Sequence, residues 1–319
     1  MTLSVMFPVM PERIEDLVRF ARHVADGPCH RLWMGQTLTY ETFQALAYLA
    51  GAGVRLPVGT GVALTPLRHP YEAALQARTV AQLMGHPVVA AFGTGGQEFA
   101  QDMLGAPYAR PATAVAEYLT VARHTLAGEY FEFHGEYHRV CSGLYPVRHP
   151  GVELGAGVLR PGMARKAGAT ADVAVTWLTP PAYLAEVVRP ALEAGARSAG
   201  RRPPRIAAVV HVAVARPGRD PRRLAYLGNA GHLVTDHYVD MLRRAGLDVS
   251  ADDPEKGAQA LVEAGVLAYG APGRIARELE GYRAAGVDEV VLSPVGVCAD
   301  EGFDAALADL DDIARAVSG

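Results

Sequence analysis

The sequence predicts a single α/β domain over residues 1–319, a parallel (β/α)8 TIM barrel, and three observations lead there. Eight short apolar runs alternate with amphipathic stretches from end to end, the pattern of a parallel sheet with crossover helices. A length of 319 residues suits one large barrel of this kind. No G-x-G-x-x-G stands between a first strand and a helix, which removes the main support for an open dinucleotide-binding sheet.

In chain order, Leu3–Val9 reads as the first strand. Ile14–Ala25 follows as a helix, with Ile14, Leu17, Val18, Ala21 and Val24 on one face. Arg31–Met34 is a second strand and Phe43–Ala52 a second helix. The third strand is expected over 54–62, where an apolar run gives way to Gly59 and Gly61. Glycine inside a strand marks a bulge or a close approach to the backbone. Tyr71–Met84 reads as a helix and Val88–Phe92 as the fourth strand. Gly151–Val158, Asp172–Trp177, Ile206–Ala215 and Glu289–Ser293 supply the remaining strands, with helices at Pro161–Gly168 and Ile275–Ala284 between them. Residues 97–150 form an insertion and 225–268 a lid region, and barrels keep their specificity in such loops.

Half the residues are hydrophobic, 20% are charged and the net charge is −4, which suits a soluble protein and gives no basic surface for nucleic acid. Cys29, Cys141 and Cys298 make neither a disulfide framework nor a zinc spacing, so a reducing cytoplasm is expected. No stretch has the length of a membrane span, the start lacks the features of a signal peptide, and no metal-ligand cluster is visible.

Five ordered stretches resemble the bacterial luciferase-like superfamily: "RLWMGQT" (31–37), "GTGVALTPLRHPYEAALQARTVAQLMGHPVVAAFGTGG" (59–96), "LAGEYFEFHGEYHRV" (126–140), "RPGMARKAGATADVAV" (160–175) and "YGAPGRIARELEGYRAAGVDEVVLSP" (269–294). The resemblance covers nearly the whole chain and implies a barrel that binds FMN or the deazaflavin coenzyme F-420, and a homodimer. The T-x-x-R-H-P form at 65–70 leans to the F-420 branch. In the deazaflavin enzymes it resembles, the third strand carries a bulge with a non-prolyl cis peptide behind the ring. Gly61-Val62, with Ala63 next to it, occupies that place. A plain bulge that helps the barrel curve is the other reading.

The phosphate end of the cofactor is expected at two places. One is Gly93, Thr94 and Gly95 after the fourth strand, where free backbone N–H groups either cradle oxygens or merely punctuate a turn. The other is Gly157, Val158, Leu159, Arg160, Gly162 and Met163, where a helix N-terminus offers unpaired N–H groups. Arg160 either pairs with the phosphate or acidic tail, or is solvated. Trp177 either stacks near a ligand or belongs to the core.

Where many relatives carry an acidic or histidine pair, this chain has Gln36-Thr37, and Gly96-Gln97 replaces a glutamate found in some deazaflavin dehydrogenases. Neither Gln nor Thr titrates in the useful range. Gln36 and Thr37 are therefore expected to orient a polar substrate, and His69 either stands near the ring or caps the next helix. His211 is expected to be hydrogen-bonded within the barrel, His232 and His237 to line a lid helix, and His134 and His138 to lie on the hairpin surface.

Together these imply an F-420-dependent oxidoreductase moving hydride between the deazaflavin C5 and a small-molecule or natural-product substrate, with reduction of an activated C=C or C=N bond favoured by the missing acids. The alternatives are an FMNH2-dependent monooxygenase, a non-catalytic cofactor-binding barrel, and a reductase that tailors a modified peptide.

Overall fold

A computed structural model describes residues 2–318, and its parallel ladder closes on itself. The strands are β1 (Thr2–Met6), β2 (Leu32–Met34), β3 (Val58–Leu64), β4 (Val88–Gly93), the hairpin β5 (Phe131–His134) and β6 (Arg139–Ser142), β7 (Val152–Gly157), β8 (Val173–Trp177), β9 (Arg205–Val214), β10 (Leu267–Gly270) and β11 (Glu289–Ser293). The ring runs β1-β2-β3-β4-β7-β8-β9-β11 and returns to β1, so the expected (β/α)8 barrel is correct.

The helices around it are α1 (Ile14–Asp26), α2 (Thr42–Gly51), α3 (Pro70–Met84), α4 (Gln97–Leu104), α5 (Pro111–Ala127), α6 (Pro161–Thr170), α7 (Pro181–Tyr183), α8 (Arg189–Ser198), α9 (Pro221–Leu233), α10 (Asp236–Arg244), α11 (Pro254–Glu263), α12 (Pro272–Ala284), α13 (Val295–Glu301) and α14 (Phe303–Ser318). Between α7 and α8 the chain makes a π-helical turn, Leu184–Val188. Pro190, the second residue of α8, has no N–H to return to Glu186, which accounts for a change of ladder there. Among the described residues no helix is long and apolar enough to cross a membrane.

The sequence reading needs two corrections here. The third strand starts at Val58, four residues later than expected, and runs on to Leu64. The Val54 N–H is tied back to the Leu49 carbonyl at the end of α2, and Pro57 has no N–H for a ladder. The short strand β10 was not anticipated. It pairs with His211–Val214, the end of β9 that projects beyond its pairing with β11, and so lies outside the ring.

Apolar side chains between strands and helices make the outer core, and a smaller cluster fills the barrel, including Met6, Trp33, Val89, Val175, Val209 and Val291. At the N-terminal end of the strands this interior turns polar. Glu289, 1% exposed, accepts from the Ser4 hydroxyl and the Trp33 indole N–H at 2.7 Å each, and Arg31 lies 3.3 Å away. Its second oxygen faces Arg205 at 3.5 Å. A buried carboxylate is tolerable only with such partners, because its desolvation must be offset by charge-assisted hydrogen bonds.

Candidate active site

The C-terminal ends of the strands open into a cavity of about 710 Å³, a size suited to a cofactor-scale ligand. The two glycines of β3 shape its floor in different ways. A Cβ on Gly59 would stand 2.8 Å from the Trp33 ring, so Gly59 makes room for the indole that plugs the barrel. At Gly61-Val62 the peptide bond is cis, and the pairing of β3 with β4 shifts register between Thr60 and Ala63. Val62 lies in the cavity wall, where it meets Gly93 and Gly157. A Cβ on either would lie 3.0 Å and 3.3 Å from its methyl groups.

Most residues expected at the cofactor site reach this cavity: Gly61, Val62, Gly93, Thr94, Gly95, Gly157, Val158, Leu159, Arg160, Met163 and Trp177 all line it. Gly95 is a turn residue with φ of +69°, as the turn reading of that loop expects. Ala63 is fully buried in the outer core, and Gly162 sits in the first turn of α6 without lining the cavity.

Gln36 and Thr37 line the cavity, but their polar atoms are committed elsewhere. The Gln36 amide donates to the Thr37 carbonyl at 2.8 Å and accepts from Leu64 N–H and Arg68. The Thr37 hydroxyl donates to the Tyr40 carbonyl and accepts from the Tyr40 N–H. His69 lies in a separate outer pocket, and its Nδ1 accepts from the Tyr71 N–H as the N-cap of α3. Arg68, absent from the sequence-derived site, pins the region by pairing with Glu41 at 3.1 Å over the Phe43 ring.

Two histidines differ from expectation. His138 is half-buried, edge-on to Tyr118 and His69, because the hairpin folds down onto α5. His211 points into the barrel and has no hydrogen-bond partner at Nε2. It packs edge-on against Trp177 with ring centroids 5.0 Å apart.

The wall opposite Val62 is aromatic. Trp177 meets His232 at 5.2 Å, His232 meets Tyr238 at 4.8 Å, and Tyr238 meets His237 at 4.6 Å. The sequence signal for it was the five-residue spacing of His232 and His237 beside Tyr238, read only as a lid. Burial holds His211 down to about 3, with His232 adding to the effect, and holds His232 down to about 4, with His237 adding. His237 is lowered too, by burial and then by Arg160. All three are thus neutral donor–acceptors at pH 7.

These depressed values make folding sensitive to acid. A free imidazole titrates near 6.5, so between there and about 4 the unfolded chain binds more protons and stability falls as the pH drops. The stability gap between wild type and His211→Asn is therefore expected to be wide at pH 7 and to narrow towards pH 4 in denaturant melts. A gap independent of pH would contradict this assignment.

Among the described residues that line the cavity, Arg160 is the sole formally charged side chain. It is the N-cap of α6, followed by Pro161, at an end with unpaired amides. Its Nη1 donates to Asp240 of α10 at 3.3 Å, and Arg244 holds the same carboxylate through Nε at 3.0 Å. The buried Tyr183 phenol, 4% exposed and without a hydrogen-bond partner, is felt by all three groups. No group of acidic, histidine or cysteine side chains among the described residues is arranged to hold a metal.

The class defined by fold and site is thus a closed parallel barrel with a glycine-floored, aromatic-walled cavity and one cationic helix end at the C-terminal face of its strands. The chain belongs to the luciferase-like monooxygenase family, whose model matches residues 2–289. Its fold is similar to an F-420-dependent secondary alcohol dehydrogenase solved with an F-420–acetone adduct (TM-score 0.78, 19% identity, 99% of this chain and 98% of that one). It is also similar to the coenzyme F-420-dependent tetrahydromethanopterin reductase of Methanopyrus kandleri (0.76, 19%, 100% and 99%) and to the EDTA monooxygenase of Chelativorans (0.77, 15%, 100% and 93%). Curated relatives from Mycobacterium tuberculosis and Mycobacterium bovis, described as uncharacterized, are 33% identical over 100 residues, or 31% of this chain and 35% of theirs. The match thus spans about a third of those relatives' length.

Proposed function

We propose that this chain is a coenzyme F-420-dependent oxidoreductase that reduces an activated C=C or C=N bond in a small organic substrate. The observation that carries the reading is the charge distribution of the cavity. A cation stands at one end, beside a helix N-terminus, and no carboxylate lines the remainder among the described residues. The cationic end suits a phosphodiester, and Arg244 beyond it suits the further carboxylates of a deazaflavin tail better than the single phosphate of FMN. The missing carboxylates disfavour alcohol oxidation, which needs a strong base.

The coenzyme, when bound, supplies or accepts hydride at its C5. The residues present fit it. Gly93 and Gly157 leave the space around Val62 that a ring needs, and Arg160 with the first amides of α6 would hold the phosphate. Met6, Met34, Phe7 and Leu64 keep water from the reacting face. His232 and Tyr238, both neutral hydrogen-bonding residues, line the same cavity and would suit a carbonyl oxygen or imine nitrogen.

The test is a parallel fluorescence titration of the purified protein with F-420 and with FMN. Tight F-420 binding with weak FMN binding, followed by anaerobic turnover of enones or imines, is expected. Preference for FMN with oxygen consumption would make the chain a monooxygenase. Tight F-420 binding without turnover across both substrate panels would make it a binding barrel.

A further inference from the structure

Beside the cavity, the cation at its anion end is already engaged by a carboxylate of this chain, Asp240, whose bonds are unequal. Asp240 is held by Arg244, four residues along α10, through contacts from Nε to both oxygens at 3.0 and 3.1 Å. Arg160, on the opposite wall, contributes one bond of 3.3 Å. The i,i+4 pair is local to one helix and forms whatever α10 does. The Arg160–Asp240 bond joins α10 to the start of α6, and both partners keep substantial exposure, 48% and 37% of their side chains. A half-exposed single bond of this kind is weak and exchangeable.

The Arg160 guanidinium stands at the start of α6, whose first amides are unpaired, and it is the group that holds the Asp240 carboxylate from this side. The guanidinium and those amides are the donors an incoming phosphate would use.

We propose that Asp240 is an internal competitor for the anion site, occupying Arg160 until a phosphate-bearing ligand displaces it. This rests on the cofactor reading only in where the coenzyme's phosphate lies; the competition itself concerns any phosphate. A carboxylate left beside a bound phosphate repels it, so the competitor sets a threshold. A ligand with one phosphate recovers Arg160 alone, whereas one with further carboxylates also reaches Arg244 and displaces Asp240 from both partners.

The experiment uses the whole protein and inorganic phosphate as probe, followed by thermal shift and calorimetry at low salt. Asp240→Asn is expected to bind phosphate about tenfold more tightly than wild type, from the lost competition and the lost repulsion. Asp236→Asn removes the same charge from the same helix without touching Arg160 and is expected to match wild type. Arg160→Gln is expected to erase the gain when combined with Asp240→Asn. Equal phosphate affinity in wild type and Asp240→Asn, or an equal gain in Asp236→Asn, would overturn the proposal. The F-420 and FMN titrations are run separately. Failure to bind either coenzyme would sink the functional reading, while the phosphate series would still judge Asp240.

Discussion

Glu289→Ala is expected to destabilise the protein by about 3–5 kcal/mol, more than any substitution at the cavity. The cost comes from what the carboxylate leaves behind. Arg31, with 5% of its side chain exposed, would keep its charge and lose its direct carboxylate partner, leaving only the more distant Glu153. The Trp33 N–H and the Ser4 hydroxyl would lose their acceptor in the same step, each at about 1–3 kcal/mol if unreplaced. Glu289→Gln keeps an acceptor for the indole and loses the charge, so it should fall between. Urea melts monitored by circular dichroism measure this, and an alanine variant within about 1 kcal/mol of wild type would show that water enters and solvates the cluster.

The second large effect is expected at the cavity floor. Gly157→Val puts a branched side chain where a Cβ already stands 3.3 Å from the Val62 methyl, and its remaining atoms must enter the cavity. We expect cofactor binding to weaken about 100-fold or more, since a displacement of an ångström at a ring-binding surface carries penalties of that order. Stability should change by about 1–3 kcal/mol, the usual cost of overpacking, because the added atoms have the cavity to occupy. Titration beside a thermal melt separates the two quantities. Unchanged binding would mean that the ring does not rest on Val62.

Much of this was legible in the sequence, for identifiable reasons. The barrel strands are mostly short apolar runs, as strands buried on both faces tend to be, and the turn residues between them are explicit. The cavity floor was readable because glycines in a strand are costly and stand out. What stayed hidden depends on tertiary contact. Nothing local shows that Thr37 spends its hydroxyl on a turn, or that the Gln36 amide is taken by Leu64 and Arg68. The carboxylate of Glu289 opens an ordinary-looking strand, and its partners lie on β1 and β2, over 250 residues away. The aromatic wall joins Trp177 to a helix more than 50 positions later, a pairing that periodicity cannot express. Strand β10 was missed because its four residues, LAYG, end in a turn-type glycine and begin inside the stretch read as a lid.

The chain has two tryptophans, and the fold puts them in opposite circumstances. Trp33 is sealed in the barrel with its N–H bonded to a carboxylate, while Trp177 forms part of the cavity wall against neutral imidazoles. One indole therefore emits from the folding core and the other from the ligand's surroundings. The protein carries two optical channels of its own, one for integrity and one for occupancy, separable by substituting either ring.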